Sequence, residues 1–261
     1  VFILNEKRNV TLTAYLQDDS QEFWRAKKRP AVVIFPGGAY AYCSDREADP
    51  VAQEYLRAGY HAFVLRYSVG WENAVWPNPL EDYDQAMELI TAHAKEWHLI
   101  PEKIAVIGFS AGGHLAACAA TMAKHRPVAA ILAYPVILEG LAAICAKGAP
   151  GADKAVDSQT CPCFIAATGT DTTVSAMNSL RFVEALYENG ISAELHLYAF
   201  GPHGFSTART SIADPAELCS RTLHWVEDSI SWLEDVFGAF TSGLLALQTE
   251  IRWISFYKMV K

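Results

Sequence analysis

The chain has 261 residues, 51% of them apolar and 19% charged, with 21 Lys+Arg against 29 Asp+Glu and a formal net charge of −8. Such a composition can bury a large core and excludes intrinsic disorder, and the length suits one α/β domain without requiring two. The acidic balance, with no basic cluster beyond Lys27-Lys28-Arg29, excludes a phosphate-binding surface, so no nucleic-acid partner is expected.

Apolar stretches such as Val128–Tyr134 fall far short of the roughly 20 residues that cross a bilayer, so no membrane partner is expected either. Val1-Phe2-Ile3-Leu4 followed by Asn5-Glu6-Lys7 does not read as a secretory signal, and a start on Val rather than Met is compatible with processing or truncation. Cysteines at 43, 118, 145, 161, 163 and 219 lack metal-ligand spacing, and in so long a chain they do not suggest a disulfide scaffold. Buried free thiols in a reducing, cytoplasmic compartment are the expectation.

In chain order, Val10–Leu16 alternates, with Val10, Leu12, Ala14 and Leu16 on one face, and predicts an antiparallel hairpin at a sheet edge. Strands, most of them continuously apolar, are then predicted at Ala31–Phe35, Ala62–Tyr67, Ile104–Phe109, Ala129–Tyr134, Cys163–Thr168 and Ala193–Phe200. Between them fall helical patterns at Asp49–Ala58, Leu80–Lys95, Ser110–Lys124 and Ser175–Asn189, with Pro215–Phe237 last. Gly59 and Asn189-Gly190 stand where helices should stop, and Pro79 where one should start. Alternating strands and helices predict an α/β fold with a mostly parallel sheet covered on both faces.

Two stretches fit this pattern less well. Leu138–Gln159 has no clear period and reads as a small lid or an ordered loop. Residues 1–238 account for one domain, and residues 239–261 place Leu244, Leu247, Ile251 and Ile254 at helical spacing. For that extension a helix packed on its own domain, a homo-oligomer contact and a sequence artefact all stay open.

The strongest chemical signal is Gly108-Phe109-Ser110-Ala111-Gly112-Gly113, between an apolar strand and a helix of small residues. A serine on so sharp a strand-to-helix turn needs small neighbours, and the helix dipole beneath it favours a developing negative oxygen. A phosphate loop is the alternative, but neither a Lys-Ser/Thr ending nor dinucleotide glycine spacing is present. Such a serine needs a base, and the base needs an orienting acid, each in a loop after a later strand. Asp171, in Thr168-Gly169-Thr170-Asp171, and His203, in Gly201-Pro202-His203-Gly204, stand in those places. His114, four residues after Ser110, is the weaker candidate base.

Donors for a tetrahedral oxyanion are expected from Phe35-Pro36-Gly37-Gly38-Ala39-Tyr40, through the N–H groups of Gly38 and Ala39, and from Ala111. An ordinary β-turn is the plainer reading of Pro-Gly-Gly. Tyr40, Tyr42, Trp71 and Trp76 are candidates to line the mouth and stack on sugar rings, with packing as their ordinary alternative.

Taken together, these motifs resemble the α/β-hydrolase esterases, most closely the acetyl-esterase and xylan-esterase-like group related to the hormone-sensitive-lipase and prolyl-oligopeptidase branches. The resemblance spans about Pro30 to Phe237. It also rests on Ser44-Asp45-Arg46-Glu47, Phe63-Val64-Leu65-Arg66-Tyr67 and Asn178-Ser179-Leu180-Arg181-Phe182. It implies about eight strands, antiparallel at the N-terminal edge. It also implies hydrolysis of short, often acetyl, esters by Ser110, His203 and Asp171, without metal or organic cofactor, on a small-molecule ester substrate.

Pro36 replaces the His, and Ala39 the third Gly, of the lipase-like His-Gly-Gly-Gly pattern, and residues 135–162 are short for the insertion usual in relatives. An arylformamidase or a small peptidase on the same three residues remains open, as does a non-catalytic binding protein on this scaffold.

Overall fold

The computed structural model describes residues 1–238 with the exception of Trp24. The expected extension at 239–261 therefore lies outside the described residues. Among the described residues eight strands form one sheet: β1 (Phe2–Asn5), β2 (Val10–Tyr15), β3 (Arg29–Phe35), β4 (His61–Arg66), β5 (Leu99–Phe109), β6 (Ala129–Ala133), β7 (Cys163–Thr168) and β8 (Ala193–Tyr198). Their spatial order is β1-β2-β4-β3-β5-β6-β7-β8. The β1–β2 and β2–β4 pairings are antiparallel and all the others parallel, in keeping with the alternating pattern at the start and the mostly continuous apolar runs later on.

Among the described residues six α-helices accompany the sheet: α1 (Asp49–Arg57), α2 (Asn78–Ala92), α3 (Ala111–Met122), α4 (Glu139–Cys145), α5 (Met177–Glu188) and α6 (Trp225–Phe237). Successive strand side chains alternate between two cores, one on each face. Ala31, Val33 and Phe35 join Tyr83 and Ile90 of α2, Leu115 of α3 and Phe182 of α5. Val32 and Ile34 face the other way, onto Val51 and Tyr55 of α1 and Trp225 and Leu233 of α6. Residues 111–121 of α3 are all buried, which small side chains permit by letting the helix press close to the sheet.

Two expectations need correction. The helix predicted from Pro215 begins regularly only at Trp225; before it, Pro215–Glu217 and Ser220–His224 form 3-10 turns. Local bonds compete with the helix there. The Asp214 carboxylate accepts the Ala216 N–H at 2.9 Å, and the Cys219 N–H reaches back to Phe200 O at 3.3 Å. The aperiodic stretch 138–159 contains α4 and a 3-10 turn at Ala152–Ala155. It is pinned where Asn178 Oδ1 accepts the N–H groups of Ile137 and Leu138 at 2.9 and 3.0 Å.

All six cysteines are free. Among the described residues no helix is long and apolar enough to cross a membrane.

Candidate functional site

Ser110 stands between β5 and α3 with φ 54° and ψ −115°, a left-handed conformation that few side chains tolerate. Close packing holds it there: its N–H donates to Ala133 O at 3.0 Å, and its carbonyl accepts from Val136 N at 3.0 Å. A Cβ on Gly112 would lie 2.1 Å from Phe35 O, so only glycine lets the elbow sit against the end of β3.

Asp171 follows β7 and His203 follows β8, and both loops fold back over the elbow. His203 Nδ1 lies 2.6 Å from Asp171 Oδ2, and Nε2 lies 2.8 Å from Ser110 Oγ. A carboxylate only accepts, so Nδ1 carries the proton and Nε2 is left to accept from the serine hydroxyl. Asp171 Oδ1 is occupied by the N–H groups of Thr173 and Val174 at 2.8 and 2.9 Å. Burial alone would raise the Asp171 pKa, but the bonds from His203, Val174 and Thr173 outweigh it and hold the carboxyl below its usual range. Asp171 thus stays charged where an imidazolium would form.

The loop after β3 packs beside this serine. Gly38, Ala39 and Tyr40 have φ of 121°, 53° and 57°, and the turn is closed by Ala41 N to Gly38 O at 2.8 Å. Among the described residues, the N–H groups of Gly38, Ala39 and Ala111 donate to no protein acceptor. Unpaired backbone donors beside a buried side chain are otherwise costly and rare, and they fit a site that presents them to a ligand.

The remaining candidates separate. A cleft of about 210 Å³ is bordered by Ala39, Trp71, Ala74, Ile144, Cys145 and Lys147. Trp71, 84% exposed, stands at its edge. Tyr40 also borders the cleft, but its ring is buried in the core and its hydroxyl bonds His114 Nδ1 at 2.8 Å, so it offers no stacking face. Trp76 is partly buried edge-on to His114, at 5.5 Å between centroids. Tyr42 is exposed outside the residues that border the cleft. His114 itself bonds Tyr40 and Pro150 O, leaving Ser110 to His203.

Sequence reasoning assigned no role to Glu47 or Tyr134, both buried beside this constellation. Glu47 lies in the Ser44–Glu47 motif among other charged residues, Asp45, Arg46 and Asp49, and nothing in that local sequence sets it apart. Among the described residues no group of three or more His, Cys, Asp or Glu side chains could hold a metal ion.

A strained serine after a parallel strand, a histidine and a buried acid from two later strand ends, and unpaired amides beside them match the arrangement expected of an α/β-hydrolase site. A family model described as BD-FAE matches residues 21–136. The solved structure of an α/β-hydrolase enzyme from a Medee basin deep-sea metagenome library superposes with a TM-score of 0.80 and 42% identity. That match covers 89% of this chain and 95% of the other. The acetyl ester-xyloside bifunctional hydrolase of Caldicellulosiruptor lactoaceticus gives a TM-score of 0.75 and 31% identity, over 87% of this chain and 88% of that one. Endo-1,4-beta-xylanase B of Butyrivibrio fibrisolvens is 31% identical over 229 residues, covering 76% of this chain and 35% of the xylanase. The chain spans less than half the length of the curated relatives it matches. It belongs to the α/β-hydrolases and resembles their acetyl- and xylan-esterase-like members.

Proposed function

We propose that the chain is a serine esterase that removes short acyl groups, acetyl above all, from the hydroxyl groups of sugars such as xylo-oligosaccharides. The observation that carries this reading is the continuous path Asp171–His203–Ser110, with links of 2.6 and 2.8 Å. Ser110 Oγ attacks the ester carbonyl as His203 Nε2 takes its proton, and the developing imidazolium is stabilised by Asp171. The carbonyl oxygen gains negative charge in front of the N–H groups of Gly38 or Ala39 and of Ala111; one well-placed donor contributes about 3 kcal/mol to lowering the barrier. His203 then returns the proton to the departing alcohol. Water attacks the acyl-enzyme by the reverse route and releases the carboxylic acid.

The sugar assignment draws support from the acetyl ester-xyloside activity named for a relative and from Trp71 at the edge of the cleft beside Ala39. An exposed indole offers a flat apolar face to a pyranose ring.

The test compares wild type with Ser110→Ala on 4-nitrophenyl acetate, butyrate and octanoate, and on an acetylated xylo-oligosaccharide with acetate release as readout. The expected result is hydrolysis falling with acyl length, acetate release from the oligosaccharide, and loss of both in Ser110→Ala. Equal rates in the two proteins would overturn the role of Ser110. Ester cleavage without acetate release from the oligosaccharide would overturn the sugar substrate.

A further inference from the structure

We propose that Glu47 is a positioning residue that fixes the oxyanion loop and the histidine loop to one another, a role that rests on the hydrolase reading above. Its side chain is 2% exposed, and each of its two oxygens serves a different loop. Oε2 accepts the Gly37 N–H at 2.7 Å, immediately before the unpaired amides of Gly38 and Ala39. Oε1 accepts the Tyr134 hydroxyl at 2.7 Å.

Tyr134 carries the connection onward. Its ring stands edge-on to the His203 imidazole, with centroids 5.0 Å apart and planes at 69°. The same hydroxyl accepts the Ser206 N–H at 3.0 Å, three residues beyond His203. Burial and the adjacent carboxylate push the Tyr134 hydroxyl well above the usual phenol range, so it remains a donor to Glu47. The short turn Asp45–Glu47 adds a second hold, since Ser206 Oγ donates to the Arg46 carbonyl at 2.6 Å.

These contacts involve positions on both sides of the reacting serine. A Cβ placed on Gly37 would lie 2.7 Å from Glu47 Oε2 and 3.0 Å from Ser110 Cβ, so the carboxylate and the nucleophile both pack closely against the same face of one residue. Charge-assisted bonds to a buried carboxylate are stronger than neutral ones and define direction. Losing them would leave the Gly37 N–H and the Tyr134 hydroxyl buried without acceptors, and either loop would gain freedom relative to the other. Displacing a catalytic geometry by about 1 Å is enough to lose roughly 100-fold in rate.

The experiment uses the full chain and measures kcat and KM on 4-nitrophenyl acetate well below each variant's melting midpoint. It also measures the affinity for phenylboronic acid, which forms a tetrahedral adduct on a reactive serine. For Glu47→Ala, kcat is expected to fall about 100-fold with KM changed less than about threefold, and boronate affinity to weaken in parallel with kcat. Glu47→Gln should recover about tenfold of the loss, because its amide oxygen can still accept from Gly37. Tyr134→Phe, which keeps the Gly37 bond and removes the link to Ser206, should lose about tenfold in kcat. If Glu47→Ala does not fold, Glu47→Gln and Tyr134→Phe carry the same test.

Unchanged kcat in the folded variants of an active wild type overturns the role of Glu47 and leaves the hydrolase reading standing. So does a fall in kcat without weaker boronate binding. A wild type without Ser110-dependent hydrolysis overturns the hydrolase reading and this inference with it.

Discussion

The Tyr40 hydroxyl lies 2.8 Å from Nδ1 of His114, joining the residue after Ala39 to the helix that begins at the elbow. Nε2 of the same ring lies 2.8 Å from the Pro150 carbonyl, which can only accept, so Nε2 carries the proton and Nδ1 receives the phenol's. Cys118 and the Trp76 ring also adjoin the imidazole, and among the described residues no carboxylate hydrogen-bonds to it. Burial pushes His114 down to about 4 against the slight opposing pull of the Pro150 carbonyl.

This ring makes stability depend on pH in a defined window. The unfolded chain takes up a proton on His114 near pH 6.5, whereas the native chain does so only near 4. Between those values the unfolded state binds more protons, so the contribution is fully present above pH 6.5 and is lost as pH falls towards 4. About 3 kcal/mol is at stake. Urea unfolding at pH 7.5, 6, 5 and 4.5 should show this decline, and His114→Asn should flatten it. Parallel curves for the two proteins would refute the assignment.

Asp171→Asn should lower kcat by about 10³ to 10⁴ with little change in KM. The amide removes the charge opposite the imidazolium and lets His203 adopt the tautomer whose Nε2 already carries a proton. Steady-state kinetics with a short ester reads this directly, and a loss below tenfold would argue for a different acid.

Replacing Ser110 tests the strain at the elbow. With φ at 54° the position favours glycine, so Ser110→Gly should be more stable than Ser110→Ala by about 1–2 kcal/mol although both are inactive. Thermal unfolding should place the glycine variant several degrees higher, by roughly 2–4 °C per kcal/mol in a chain of this size. Identical melting midpoints would mean that the turn stores no such strain.

Trp71→Ala isolates recognition of the alcohol part of the substrate. Its side chain is 84% exposed, so the melting midpoint should not move. KM for an acetylated xylo-oligosaccharide should rise about tenfold while that for 4-nitrophenyl acetate changes little. An equal change for both substrates would remove Trp71 from the sugar-binding role.

Ser110, Asp171 and His203 are legible in the sequence because each follows a recognisable strand, and the ends of parallel strands share one edge of the sheet. Their hydrogen bonds span 93 and 32 residues, yet strand order alone brings them together. Glu47 was not legible in this way. Its partners at Gly37, Tyr134 and, through the tyrosine, Ser206 come from three loops with no common spacing, and only the folded register aligns them. The aromatic candidates divide for a local reason: successive positive φ angles at Ala39 and Tyr40 accompany a Tyr40 ring turned into the core, a direction composition cannot give. The late start of α6 has the same kind of origin, since the segment before it is tied to the loops it passes, through Cys219 to Phe200 O and through Trp225 Nε1 to Ser206 O.

The cleft beside Ala39 is walled on its far side by Trp71, Ala74, Ile144 and Lys147, from two connecting segments that supply neither the Ser110–His203–Asp171 path nor its neighbouring amides. Substitutions there can accumulate without disturbing the buried bonds around the elbow. On the proposed esterase function, substitutions at Trp71, Ile144 and Lys147 are therefore the economical route to a different alcohol leaving group, whereas Trp76, packed on His114, and Gly70, whose N–H donates to Tyr40 O, belong to the frame that must be kept.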